Sequence, residues 1–394
     1  MSKQLDGIRI LDLTRVLSGP YCTMLLADMG AEVIKIEEPL KGDDSRGYPP
    51  FDRGISAYFA NLNRNKKSIA LNLKDPKAKQ VLIDLIKISD VIVENFKPGT
   101  MDKLGFSYEE VKEINPKIIY ASISGFGQTG AYSKLPGYDV IAQAMSGIMS
   151  VTGWTDSAPT RTGTAIEDIL AGLNCCIGIL AALQGRSRTG HGERIDISLV
   201  DCSVSAMETL IEIFLVEKRV PERIGNRYEF IYPYDSFQAK DGWVVIAVGN
   251  DNIWAKFCEA IDKKNLLEID EFKLNKDRVS EHDRLKAIVS DWTKEHNVEE
   301  IIKILLAKGV PCAPINDVAQ VVNDKNIVDT RKMIEEIEHP ISGKMKIVGS
   351  PIKFTESDEY SYDKAPILGL DTESVMKELL GLSSEEVDYF KNRK

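Results

Sequence analysis

From Ile8 to Leu199 the chain alternates short aliphatic runs with stretches whose apolar residues recur at helical spacing, and this alternation leaves few folds open to it. Strand-like runs occupy 8–13, 32–36, 68–73, 90–93, 118–124 and 194–199. Helical patterns fill the gaps: 21–29, the stretch opened by Asp75-Pro76, and a long segment rich in Ala and Gly over 166–183. Asp75 is a good N-cap, and proline suits the first helical position because its missing N–H has no intrahelical partner there. Strands that alternate with helices pair in parallel, since a parallel pair needs a long crossover. The predicted fold class is therefore α/β: a doubly wound, Rossmann-like parallel sheet covered by helices on both faces.

A helical pattern over 201–217 leads away from this sheet, and the pattern changes near Val220. Residues 223–237 mix polar and aromatic side chains around Pro233 and read as a crossover. A strand over 243–248 and helices around Trp254, Leu285 and Ile301 then predict a smaller α+β region. The tail carries strand-like runs at 345–348 and 352–354 and a helix from Thr372. The layout is a large α/β domain over 1–222, a smaller α+β domain over 223–325, and a tail over 326–394 that returns to the large domain.

A formal charge of −10 offers no broad cationic footprint, which argues against a nucleic-acid partner but leaves room for a local basic pocket. The polar start and the lack of a long uninterrupted apolar run predict a cytoplasmic protein with no membrane partner. Six cysteines, Cys22, Cys175, Cys176, Cys202, Cys258 and Cys312, show no C-x-x-C spacing and read as buried free thiols. The histidines His191, His282, His296 and His339 have no partners at metal-ligand spacing, and no G-x-S-x-G elbow occurs. Neither a metal site nor a Ser-His-Asp triad is expected.

Three further features admit two readings each. Gly125 to Gly130 spells G-x-G-x-x-G after a strand, but a dinucleotide site also needs a helix to open there, and Pro136 lies in the stretch that follows. A close-approach turn is the better reading, and no NAD is expected. Arg64, Lys66, Lys67 and Lys74 flank one strand, while Lys97 and Lys103 follow another. They form a phosphate-binding edge or a merely solvated one. Glu167-Asp168 opens the apolar helix, where an acid either complements the helix dipole or, if shielded from water, serves as a covalent nucleophile. Ala171 and Gly172, one turn on, predict room for a ligand beside it.

Ser18-Gly-Pro20, the run from Ala27 to Glu37, Asn65 to Ser68, Val93 to Phe96, Ser124 to Gln128 and Thr189 to Arg194 appear in the order found in one family. Over nearly its whole length the chain resembles the class III CoA-transferases, the family of formyl-CoA and carnitine CoA-transferases. The resemblance implies a transferase that moves CoA from an acyl-CoA donor to a carboxylic acid through covalent intermediates on Asp168, without metal. It also implies CoA contacts at Val16, Leu17, Leu71, Asn72, Leu73, Lys74, Asn95, Phe96, Lys97 and Lys103. Tyr138 and Asp139 are expected beside the acyl group. The same resemblance implies a homodimer of two interlocked rings.

This chain departs from the formyl-CoA branch at Leu17, where a glutamine is expected, at Glu38, where an arginine is, and in lacking a glycine run near 223–237. Leu17 and Tyr48 favour an acyl group with apolar bulk over formate or oxalate. Asp371 replaces a tail histidine. Two rival functions share the fold: a 2-methylacyl-CoA racemase and a non-catalytic CoA-thioester binding dimer. The racemase needs two proton-transfer groups, and Tyr138 stands where its relatives place a histidine; a phenol with a pKa of about 10 is a poor base near neutrality. The intact Asp168 argues against the binding dimer.

Overall fold

A computed structural model describes residues 3–356 and 361–391. Six strands form one sheet: β1 (Arg9–Asp12), β2 (Glu32–Glu37), β3 (Lys66–Ala70), β4 (Val91–Glu94), β5 (Ile119–Ser124) and β6 (Arg194–Ser198). Their order is β3-β2-β1-β4-β5-β6, and every neighbouring pair is parallel. The α/β class read from the sequence is thus the class that forms. Because strand side chains alternate, each of the four inner strands supplies both cores. Ile10, Val33, Val93 and Ala121 join one cluster with α1 (Ser18–Asp28) and α5 (Ile166–Thr189). Leu11, Ile34, Ile92 and Tyr120 join the other with α2 (Pro76–Lys87). Leu82, Leu85 and Ile86 of α2 are fully buried there, and each such side chain stabilises the fold by roughly 1.5–3 kcal/mol. Asp75 caps α2 by accepting the N–H of Lys77, with Pro76 in the first turn.

Three more helices frame the site described below: α3 (Thr100–Leu104), α4 (Asp139–Ser146) and α6 (Leu199–Ala206). The strand expected over 68–73 lies earlier, at Lys66–Ala70, so 71–74 form the turn after it. The helix expected over 201–217 is broken at Met207 and Glu208, where Glu208 takes a φ of +35°. Residues 352–354 form no strand. The sequence reading found no membrane-crossing run, yet α5 is long and apolar enough for one, with a mean hydropathy of 1.8 over its most apolar window. Here it packs along α1, β5, β6 and α6.

By contacts the chain forms two compact units. The sheet unit comprises Met1–Ile148, Arg161–Lys218 and Lys325–Lys394. Within it the tail seals the β3 edge. Ser68 and Asp371 exchange backbone bonds, since the Asp371 carboxylate accepts the Ser68 N–H at 2.8 Å and the Ser68 carbonyl accepts the Asp371 N–H. Thr372 accepts the N–H of Ala70. Asp371 therefore covers an open strand edge. The second unit, Met149–Thr160 with Arg219–Asp324, is built on an antiparallel sheet of β7 (Tyr234–Gln238), β8 (Trp243–Ala247) and β9 (Cys312–Pro314) around buried Trp254, Phe257 and Phe272.

Candidate active site

In a doubly wound sheet ligands bind beyond the carboxyl ends of the strands, where the winding reverses. Here that point lies between β1 and β4. The turn 14–18 leaves β1 there and is anchored on every side. Asn95, just past β4, accepts the N–H of Arg15 and donates to its carbonyl, both at 2.8 Å. Val16 holds a φ of +68°, which is costly for a β-branched residue, and its N–H bonds the Asp43 carboxylate at 3.1 Å. Lys35 reaches the carbonyl of Thr14 at 2.8 Å and pairs with Asp43 at 2.9 Å.

Beneath the turn is a dry ionic network. Asp12 on β1 and Lys35 on β2 are register partners, and Lys66 of β3 points to the same face. Lys66 pairs with Asp12 at 2.9 Å and also donates to Pro20, Thr23 and Asn63. Burial pushes the Asp12 carboxyl up, but Lys66, Lys35 and two threonine hydroxyls outweigh it and hold the group well below the usual carboxylate range. Lys66 therefore lines no phosphate pocket. Arg64 and Lys67 do not either: Arg64 forms a buried pair with Asp28 at 2.6 Å and Lys67 pairs with Glu32 at 2.7 Å. Each of these three cations finds an acid on another element, which their positions in sequence do not reveal.

Asp168 lies in the first turn of α5, beside the start of α1. Ser18 lies beside its carboxylate and favours the charged form, and Asn95 Nδ2 donates to Ser18 Oγ at 3.3 Å. Burial, then the charges of Asp139 and Glu167, push the Asp168 carboxyl up to about 6 against the opposing effect of Ser18. The room expected beside Ala171 and Gly172 belongs to α1 instead. A Cβ at Gly172 would lie 2.6 Å from the Ser18 carbonyl, and Ala171 is fully buried. The small residues serve helix packing, which brings Ser18 to Asp168. Glu167 points elsewhere: it is fully buried and accepts the Ser203 hydroxyl of α6 at 2.8 Å. Cys175 and Cys176 lie in the core, and burial pushes Cys176 up to about 12.

A pocket of about 270 Å³ opens over Asp168. Val16, Leu17, Asn95, Tyr138 and Asp139 from the sequence reading line it, together with Ser18, Tyr48 and Ser124. A neighbouring pocket of about 290 Å³ is lined by Leu71, Asn72, Leu73, Lys74 and Phe96, and Arg15 borders both. Glu38 also lines this second pocket, its carboxylate bonded to the N–H groups of Leu40 and Lys41. Two expected contacts fall outside these pockets. Lys97 borders a cavity of only about 30 Å³ with Glu94 and Arg194, and Lys103 is exposed at the end of α3. Sequence reasoning missed Ser18 and Ser124 as site residues; their position just beyond or at the end of strands β1 and β5 was the available signal.

The glycine motif also finds its place. No helix opens at Gly125–Gly130. The N–H of Gln128 bonds the Asp196 carboxylate of β6, and the chain continues as a loop until α4. Gly125 and Gly137 touch: a Cβ on either would lie 2.6 Å or less from the other's Cα. Their contact closes the loop and sets Tyr138 and Asp139 beside the end of β5. Asp139 is then fixed by Gln143 Nε2 at 2.7 Å and by the N–H of Glu167 at 2.9 Å.

A family model described as CoA-transferase family III matches residues 5–372. The chain is 38% identical over 379 residues to a succinyl-CoA:glutarate CoA-transferase of Homo sapiens, covering 96% of this chain and 86% of that protein. It is 41% identical over 355 residues to an acetyl-CoA:oxalate CoA-transferase of Acetobacter aceti, covering 90% of each. Among solved structures, a CAIB/BAIF family protein from Brucella suis superposes with a TM-score of 0.85 at 36% identity, over 96% of this chain and 100% of that one.

Proposed function

The chain belongs to CoA-transferase family III and is a CoA-transferase, and from that premise we propose that Asp168 carries CoA from a dicarboxylyl-CoA to a dicarboxylic acid. A single observation carries the assignment of the nucleophile: of the two carboxylates that line the acyl-sized pocket, Asp139 is tied by Gln143 and the Glu167 N–H, whereas Asp168, at the start of α5, faces the pocket without such ties. Its oxygen attacks the thioester carbonyl, the C–S bond breaks, and CoA leaves as thiolate. The thiolate then attacks the aspartyl carbonyl of the mixed anhydride, and the donor acid leaves as a carboxylate. An aspartyl-CoA thioester remains. The acceptor carboxylate reverses both steps, so no proton is consumed and the thioester energy is retained. Partial desolvation of Asp168 suits this role, since a less hydrated carboxylate is a better nucleophile and water would hydrolyse both intermediates.

The ionised form must react, so kcat/KM should be level above about pH 7 and fall tenfold per unit below about pH 6. A rate that rises on acidification contradicts an Asp168 nucleophile. The dicarboxylate assignment draws on the glutarate and oxalate acceptors of the two relatives. Leu17 and Tyr48 then face the methylene chain of the acid, which favours four- or five-carbon acceptors over oxalate. A screen of donor thioesters against acceptor acids, read by mass spectrometry, tests this. Preference for branched monocarboxylic acids over every dicarboxylate overturns it.

In this reading the second pocket holds the nucleotide end of CoA, with Lys74 toward its phosphates. Lys74→Ala should raise KM for the thioester several-fold with little change in kcat, and Lys97→Ala should do less. Equal KM values for wild type and Lys74→Ala reject that assignment. We also place the chain in an interlocked homodimer. Support comes from apolar side chains left open in one chain: Ile177 on α5 is 63% exposed, and Phe214, Leu215 and Val216 form an exposed run. Sedimentation should find a dimer whose dissociation coincides with unfolding, and an active monomer contradicts this.

A further inference from the structure

We propose that Ser124 is a further catalytic residue, the hydrogen-bond donor to the carbonyl oxygen of the acyl group while it reacts at Asp168. The inference rests on the reading of Asp168 as the nucleophile. Ser124 ends β5 at the carboxyl edge of the sheet and lines the same pocket as Asp168. Its residue is 7% exposed, its Oγ is screened from solvent, and that oxygen has no hydrogen-bond partner among the described residues. A buried hydroxyl without a partner is costly, and native proteins rarely keep one unless a ligand completes it.

The chemistry of the pocket decides what Ser124 bonds. A thioester carbonyl, a carboxylate and the tetrahedral intermediates between them offer oxygens that only accept. A pocket for them needs donors; Arg15, Tyr48 and Tyr138 offer theirs from exposed side chains, whereas the buried side chains around Asp168 have other partners. The Ser18 hydroxyl lies beside Asp168 and accepts the Asn95 amide at 3.3 Å. The Asn95 amide bonds Arg15 and Ser18, and Asp139 is an acceptor already filled by Gln143 and Glu167. Asp168 and Asp139 set two acidic groups in the pocket against the exposed guanidinium of Arg15, so an entering carboxylate gains from a further donor beside them. Ser124 is the buried side-chain hydroxyl lining this pocket, among the described residues, whose oxygen has no hydrogen-bond partner. As the carbonyl oxygen gains negative charge during attack, a bond from Ser124 strengthens, and such a bond accelerates the step.

The test is Ser124→Ala in the full-length protein, with Asp168→Ala alongside. Losing one donor to a developing oxyanion should lower kcat by roughly 100-fold, with a smaller change in KM for the thioester. The melting temperature of the free protein should stay level or rise, because the substitution removes an unpaired buried hydroxyl. Slower transfer in a protein that is no less stable supports the proposal. Turnover within twofold of wild type, or loss of activity that tracks a lowered melting temperature, overturns it. The two readings fail separately: an inactive Asp168→Ala beside a fully active Ser124→Ala removes only the role of Ser124, whereas an active Asp168→Ala removes the nucleophile itself.

Discussion

Lys66→Met should destabilise the protein by about 3–5 kcal/mol, the usual cost of leaving a buried charge without its partner. Lys66 is 5% exposed, and its ammonium group supplies four acceptors: the Asp12 carboxylate at 2.9 Å, the Pro20 carbonyl at 3.1 Å, Thr23 Oγ at 2.8 Å and Asn63 Oδ1 at 3.0 Å. Methionine fills the volume but donates nothing. Asp12 then keeps Lys35 as its nearby cation, which is itself paired with Asp43. The damage should reach the active site, because Asp12 also holds the N–H of Thr14 at the start of the turn that carries Leu17 and Ser18. A double substitution, Asp12→Leu with Lys66→Met, should recover part of the lost stability, since it removes the orphaned charge but leaves the Thr14 and Thr23 donors without that acceptor. Unfolding by denaturant measures both. A Lys66→Met protein within about 1 kcal/mol of wild type means the network does not anchor the turn.

The same lysine marks the boundary of what the sequence reveals. Local patterns were legible: alternating runs fixed the strand order's class, Asp75-Pro76 marked a helix start, and Glu167-Asp168 marked another. What depended on distant partners was not. Lys66 reads as part of a phosphate-binding or a solvated edge until the fold sets it against Asp12, 54 positions away. Gly172 reads as space for a ligand until α1 fills that space with the Ser18 carbonyl. Leu71 to Leu73 read as the end of a strand, yet they leave the sheet as a turn and, with Lys74, line a pocket. Lys97 borders a cavity of about 30 Å³ and Lys103 is exposed at the end of α3, positions that their place in the sequence does not reveal. Ser124 showed only its place at a strand end, because a hydroxyl without a partner is visible only once burial and bonding are known.

Asp168→Ala should lower transfer by at least about 10⁴-fold, a loss typical of removing a covalent nucleophile. Alternatives on the chain are poor. Glu167 is buried against Ser203, and the nearby thiols are pushed up by burial, Cys176 to about 12 and Cys202 to about 11. Alanine at 168 removes an acid whose ionisation burial disfavours, so the fold should persist and CoA should still bind. The central claim is the covalent intermediate, and trapping it is the most direct measurement. Wild-type protein is incubated with a donor thioester and quenched with hydroxylamine, and its peptides are sequenced by mass spectrometry. A hydroxamate on Asp168, absent without donor and absent from Asp168→Ala, is the predicted result. A label on Glu167 or a cysteine, or steady turnover by Asp168→Ala, contradicts the account.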